Sequence, residues 1–109
     1  MASSFKNKTA IIATANLDQT LYTATGVTSA VIHGIFAANT HASSNVNVTL
    51  KLVDSSNSNA ETKILNAIPV PPNTTLVVDK PVNLEANDKL FVQASSANCE
   101  FTASVLEIT

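Results

Sequence analysis

Apolar and polar residues alternate along most of the chain, and this period of two predicts β-strands. The clearest run is 46–52 (VNVTLKL), where the Val and Leu side chains face one way and Asn47, Thr49 and Lys51 face the other, as in a half-buried antiparallel strand. Further strands are predicted at 10–15, 19–23, 28–38, 62–68, 74–79, 89–94 and 99–108. We expect 10–15 and 19–23 to pair with each other across the polar turn between them. About eight short strands, about 10–12 residues apart, are typical of a sandwich or a small barrel.

These strands predict an all-β fold, a two-sheet antiparallel β-sandwich of the jelly-roll or immunoglobulin-like type. The one polar stretch that could begin a helix, 58–65, leads into Pro69, Pro71 and Pro72, which mark a corner instead. A length of 109 residues predicts one domain, which we place at 10–109. Residues 1–9 are predicted to form an N-terminal arm, which is either loose or lays Phe5 on a neighbouring molecule.

The chain is poor in charge, which limits its partners. Charged residues make up 13% of it, about half the usual share, and all basic residues are lysines. Because specific nucleic-acid binding normally uses a basic face with arginines, we predict no nucleic-acid partner. No stretch approaches the roughly 20 apolar residues of a membrane helix, and the N-terminus has no apolar signal core. We therefore predict synthesis in the cytoplasm and no membrane partner. The Asn-, Ser- and Thr-rich surface suits a protein packed against copies of itself or a large partner, although many β-proteins share it.

Candidate groups for chemistry are few. A zinc site needs three or four ligands, and the sequence offers His33, His41 and one thiol, Cys99, which we expect to be buried. We expect His33 to be hydrogen-bonded within its strand. Phosphate-binding glycine loops and the nucleophile-elbow motif are absent. The sequence therefore predicts no enzyme, no metal and no cofactor. Sugar stacking would depend on Tyr22, because the chain has no Trp and no other Tyr.

Five short motifs follow one another along the sequence. They are 21–23 (LYT), 29–39 (SAVIHGIFAAN), 70–76 (VPPNTTL), 84–95 (LEANDKLFVQAS) and 103–108 (ASVLEI). In this order and spacing, over about residues 10–108, the chain resembles a family of small virion structural proteins of tailed bacteriophages, especially marine and cyanobacterial ones. The resemblance implies a β-sandwich accessory protein, present in many copies on the capsid shell, neck or tail. It carries no catalytic residues to transfer.

The function expected from this resemblance is that of a capsid decoration (cement) protein. It would bind the assembled shell through the major capsid protein or other virion proteins, as a homo-oligomer for which a trimer is favoured. It would be located in the virion after synthesis in the host cytoplasm. Two alternatives stay open: a tail-, neck- or fibre-associated structural module, and a carbohydrate- or receptor-binding module for host attachment.

The strand predicted at 28–38 (TSAVIHGIFAA) is apolar on both faces, and Gly34 within it indicates a bulge or a close backbone approach. A free-standing sandwich needs only one apolar face per strand, so the pattern predicts a second covered surface. The cover could be the protein's own N-terminal segment, a sister subunit or a shell. We predict contact residues in the arm and in this strand, namely Phe5, Lys6, Ile32, His33 and Phe36.

Overall fold

The computed structural model describes residues 2–109, and these form nine β-strands. The strands are β1 (Ser3–Ile11), β2 (Gln19–Thr23), β3 (Ser29–Asn39), β4 (Val46–Asp54), β5 (Ala60–Val70), β6 (Thr74–Val78), β7 (Val82–Glu85), β8 (Lys89–Ala94) and β9 (Glu100–Ile108). A one-turn 3-10 helix, Ser55–Asn57, follows β4. No helix in the described part of the chain has the length and apolar character needed to cross a bilayer.

The strands form two antiparallel sheets, which confirms the predicted β-sandwich. One sheet has the order β1-β9-β3-β6, with β7 also paired to β3, and the other has the order β2-β8-β4-β5. β6 and β7 pair with successive parts of β3, so together they occupy one strand position interrupted before Pro81. The first and second strands lie in different sheets, whereas in an immunoglobulin domain they share one. The topology is that of a jelly roll.

Side chains from the inner faces of both sheets form the core. In β4, Val46, Val48 and Leu50 are fully buried, so the predicted inner face of this strand is correct. Thr49 is on the opposite face and yet is only 8% exposed. Its hydroxyl accepts a hydrogen bond from the Ala67 amide at 3.1 Å. β5 is an edge strand, which accommodates Pro69, since proline cannot donate to a central ladder.

The N-terminal part of the chain differs from the prediction. β1 begins at Ser3, pairs with β9 over nine residues and does not pair with β2. The predicted boundary after residue 9 therefore falls inside a strand. Alternation does not reveal this strand because both of its faces are exposed from Ser3 to Thr9, and one face carries Lys6 and Lys8. β7 is a second strand that the sequence did not indicate, because Asn87 and Asp88 just after it are typical of a turn.

Buried polar contacts join the two sheets and close the ends of the sandwich. Tyr22 of β2 donates its hydroxyl proton to Oε2 of Glu107 in β9, at 2.7 Å. At one end, the Asn39 side chain donates to the carbonyls of Ser44 and Val70 at 2.7 and 2.9 Å. These contacts satisfy polar groups that would be costly to bury unpaired.

Candidate interaction surface

The outer side of the β1-β9-β3-β6 sheet carries a group of exposed or half-buried apolar side chains. We name this group the outer apolar face and define it by Phe5, Val31, Phe36, Val77 and Leu106. Phe5 is 78%, Val77 49% and Phe36 40% exposed, while Val31 and Leu106 are half-buried. Aromatic and large aliphatic side chains in this state are common at protein–protein contact sites.

Strand register arranges these residues in two rows across the sheet. In the first row, Phe5 of β1 is opposite Leu106 of β9, which is opposite Val31 of β3. In the second row, Phe36 of β3 is opposite Val77 of β6. Leu106, Val31 and Phe36 are on the central strands β9 and β3, whose other faces are in the core. This middle part of the outer apolar face is therefore a rigid, pre-formed surface.

The space between the two rows carries no Asp, Glu, Lys or Arg. Asn7, Ser104 and Gly34 occupy neighbouring positions of β1, β9 and β3, and Thr9 and Thr102 extend the second row toward β1. A partner that covered this area would not have to desolvate a charge, a step that costs several kcal/mol without a matching ion. The surface therefore suits burial against another protein.

The structure brings three of the five predicted contact residues together on this side of the molecule. Phe5, His33 and Phe36 are all exposed there, and the rings of Phe5 and His33 have their centroids 6.1 Å apart. The expected side-chain hydrogen bond of His33 is not found among the described residues, where its ring contacts Phe5. Whether these three residues touch a partner stays a prediction.

Ile32 and Lys6 are placed differently from the prediction. Ile32 is 0% exposed and belongs to the core, so it is not part of an outer surface. The physical reason is a bulge, since β3 shifts register against β9 between Ile32 and Gly34. Regular alternation counted back from Phe36 would put the Ile32 side chain on the outer side of the sheet. The bulge shifts the alternation by one residue, so the Ile32 side chain points into the core. Lys6 is exposed, but on the other side of β1 from Phe5.

Three members of the outer apolar face were not predicted from the sequence, namely Val31, Val77 and Leu106. Leu106 follows the buried Val105 directly, so an apolar pair at the end of the chain was the available signal. Such a pair places apolar atoms on both sides of a strand.

A cluster of three carboxylates joins the end of β4 to the turn before β8. Carboxylate oxygens of Asp54, Glu85 and Asp88 lie within 4.8 Å of one another. Asp88 accepts hydrogen bonds from the Ser55 amide and hydroxyl and from the Glu85 amide, each at 2.9 Å. Burial by itself would raise the pKa of Asp88, but these hydrogen bonds hold that pKa below its usual value. These bonds hold the 3-10 helix against the turn, so the cluster has a structural role.

The other candidate residues are engaged internally. His41 Nε2 lies 2.9 Å from the Ala97 carbonyl and 3.3 Å from the Ser96 hydroxyl, between two loops at one end of the sandwich. Cys99 is buried, and burial raises the pKa of its thiol. Tyr22 is 2% exposed, so its ring is not available to stack on a sugar. The carbohydrate-binding alternative thus loses the aromatic residue on which it depended.

Comparisons with known proteins identify the fold. No family model and no curated protein matches the sequence. A chain in the acid-stable capsid of Helicobacter pylori bacteriophage KHP30 matches with a TM-score of 0.61 and 14% identity, over 100% of this chain and 89% of that one. A chain of the Bacillus endospore appendages, which are disulfide-linked pili, matches with a TM-score of 0.56 and 10% identity, over 98% and 87%.

A third solved structure shows that the fold is not confined to viruses and pili. The Drosophila NLP core, described for its pentamer formation and histone binding, matches with a TM-score of 0.55 and 8% identity, over 99% of this chain and 98% of that one. At such identities the likeness establishes a shared β-sandwich fold. It does not transfer an activity.

Proposed function

We propose that this chain is a non-enzymatic structural protein of a tailed-phage particle, a decoration protein that binds the assembled capsid shell in many copies. The observation that carries the proposal is the outer apolar face, an uncharged, pre-formed surface on one sheet of a jelly roll. The likeness to a phage capsid chain supports a virion, and pili and a pentamer among the other neighbours support assembly in many copies. The sequence resemblance to phage virion proteins points the same way.

Binding by this surface would come from burial of apolar area. Covering Phe5, Phe36 and Val77 removes large apolar side chains from water, and each 100 Å² so buried contributes roughly 2.5 kcal/mol before the cost of association. With few charges nearby, we expect binding to depend weakly on salt. Repetition over equivalent sites of a symmetric shell gives the many copies.

The test uses particles assembled without this protein, obtained by deleting its gene. Purified protein is added to them, and bound copies are counted by quantitative mass spectrometry. We expect hundreds of copies per particle, with loading unchanged by moderate salt. A plateau between about three and a few dozen copies, the range expected for closed rings, would contradict the shell site and support the tail, neck or fibre alternative.

Two matched variants identify the face that binds. Phe36→Ser removes an aromatic ring from the outer apolar face, and Phe91→Ser removes one from the outer side of the β2-β8-β4-β5 sheet. We expect Phe36→Ser to lower loading strongly and Phe91→Ser to leave it near the unmodified level. Equal effects of the two variants would show that the outer apolar face is not the binding surface.

A further inference from the structure

The free edge of β1 is an open position for another strand. Among the described residues β1 pairs only with β9, and from Ser3 to Thr9 it is exposed on both faces. The strand contains no proline, and its register with β9 is continuous from Ser3 to Ile11. Edge strands with these features are templates for pairing with another chain.

Hydrogen bonds at both ends of β1 show which backbone groups are free. Ala2 accepts from Thr109 at 2.9 Å, and Ile12 donates to Cys99 and accepts from Asn98 at 2.9 and 2.8 Å. Backbone groups of alternate residues point to opposite edges of a strand. Even-numbered residues therefore face β9, and the groups of Ser3, Phe5, Asn7 and Thr9 face the free edge.

At the Ile11 end of this free edge, a side chain already binds the backbone. The Ile11 carbonyl accepts a hydrogen bond from Gln19 Nε2 at 2.9 Å. The open stretch thus runs from Ser3 to Thr9, which is long enough for a strand of typical length. Backbone groups at this edge are solvated in the described chain, so an added strand can bond them without breaking existing pairs.

Lys6 and Lys8 define the charge of this open stretch. Both are exposed on the side of β1 opposite to Phe5. Neither takes part in the ion pairs among the described residues, which are formed by Lys51. Facing an incoming antiparallel strand, the two lysines occupy non-hydrogen-bonded positions, where opposite Cα atoms approach to about 4.5 Å. Side-chain charges interact most strongly at such positions.

These charges argue against pairing with a second copy. Two copies can pair antiparallel so that all four free residues of each strand form bonds, with Ser3 opposite Thr9 and Phe5 opposite Asn7. This register sets Lys6 opposite Lys6 of the second copy. A shift by one pair toward Ile11 sets Lys6 opposite Lys8. Like charges directly opposite each other destabilise a pair of strands. A shift by one pair the other way sets Lys6 opposite Ser4 and avoids this, but it joins only three of the four free residues. The edge therefore favours a partner of the other sign.

We propose that the free edge of β1 takes up an extended acidic segment of a partner protein as an additional strand. Carboxylates two residues apart would face Lys6 and Lys8, and the other side of the added strand would continue the surface beside Phe5. The main-chain hydrogen bonds would supply affinity, and the two lysines would make binding specific for an acidic segment. This edge is a different place from the outer apolar face, so binding of the segment is separate from the proposed shell contact.

The test uses the purified protein and synthetic peptides. The probe is a short peptide with two Glu residues two positions apart and Thr and Val elsewhere, and amide chemical shifts of the protein report binding. We expect saturable shifts along β1 and weakening by added salt. In the double variant Lys6→Glu with Lys8→Glu, both attractions become repulsions, and we expect affinity to fall by about tenfold or more. The matched control, Lys63→Glu with Lys80→Glu, changes the charge equally elsewhere and should retain affinity.

Two further peptides separate strand addition from simple charge attraction. N-methylation of one alternating set of peptide amides blocks the edge that faces β1, and methylation of the other set blocks the outer edge. We expect one methylated peptide to lose binding and the other to retain it. Equal binding of both, or equal binding of a peptide with Lys in place of Glu, would overturn the inference, as would absence of binding to β1.

These outcomes are independent of the particle experiment. Peptide binding at β1 in a protein that fails to load on shells would refute the proposed function and leave this inference intact. Full loading on shells with no peptide binding at β1 would do the reverse.

Discussion

The buried pair of Tyr22 and Glu107 makes folding sensitive to alkaline pH. The pKa of Tyr22 is raised well above the usual value of about 10. Burial is the largest cause, and the hydrogen bond to Glu107 and the negative charge of Glu107 add to it. Up to about pH 10 the phenol is protonated in both folded and unfolded chains, so the contribution of the pair is complete. Above that pH the unfolded chain ionises first, and stability falls by about 1.4 kcal/mol per pH unit. We expect about 1.4 kcal/mol to be lost at pH 11 from this residue.

The assay compares urea unfolding of the unmodified protein and of Tyr22→Phe at pH 9 and pH 11. Tyr22→Phe should cost about 1–3 kcal/mol at pH 9, because Glu107 loses its donor, and should lack the tyrosine part of the alkaline loss. Lysines titrate in both proteins and cancel in the difference. Since the chain has one Tyr, tyrosinate absorbance reports this residue alone. Tyrosinate forming near pH 10 with circular dichroism unchanged would refute the reasoning.

Three further predictions concern stability and reactivity. Ile32→Ala should cost about 2–5 kcal/mol in urea unfolding, whereas Phe36→Ala on the surface should change stability by about 0.5 kcal/mol or less; similar costs would contradict the assigned phase of β3. Because its pKa is lowered on folding, Asp88 contributes stability above about pH 4 that is lost in more acidic solution. Asp88→Asn should flatten that acid dependence in unfolding experiments from pH 2 to pH 6. The Cys99 thiol is buried with a raised pKa, so a thiol reagent should label it only at the rate of unfolding, and fast labelling of folded protein would disprove this.

Strands with one buried face could be predicted from the sequence. The alternation in 46–52 gave the correct inner face of β4, and β8 was predicted with the bounds that the structure shows, Lys89–Ala94. In both strands the inner residues contact the opposite sheet and the outer residues do not. The period of two is then a direct consequence of burial.

β1 and β7 lacked that signal for different reasons. From Ser3 to Thr9, β1 has no buried face, so its position depends on backbone pairing with β9 at the far end of the chain. Such non-local pairing leaves little trace in a local pattern. β7 has only four residues, of which Leu84 is fully buried, and the turn-forming residues that follow it dominated the prediction.

The candidate surface was predicted in its location but not in its composition. Double-sided apolar character in 28–38 correctly indicated that β3 carries apolar residues on its outer side. Of the three possible covers, the N-terminal segment as far as the structure describes it does not lie over β3, because β1 is in the same sheet with β9 between them. Its Phe5 ring lies 6.1 Å from the ring of His33. Gly34 correctly indicated a bulge in this strand. The side-chain phase was nevertheless not corrected for it, so Ile32 was assigned to the wrong side.

We propose that many copies of this protein cover a phage shell through the outer apolar face. A cryo-electron microscopy reconstruction of the intact particle tests it most directly. We expect density for the sandwich at repeated sites over the shell, with the β1-β9-β3-β6 sheet turned toward the capsid subunits and Phe36 in the contact. Density confined to the neck or tail, or a shell contact made by the β2-β8-β4-β5 sheet, would contradict it.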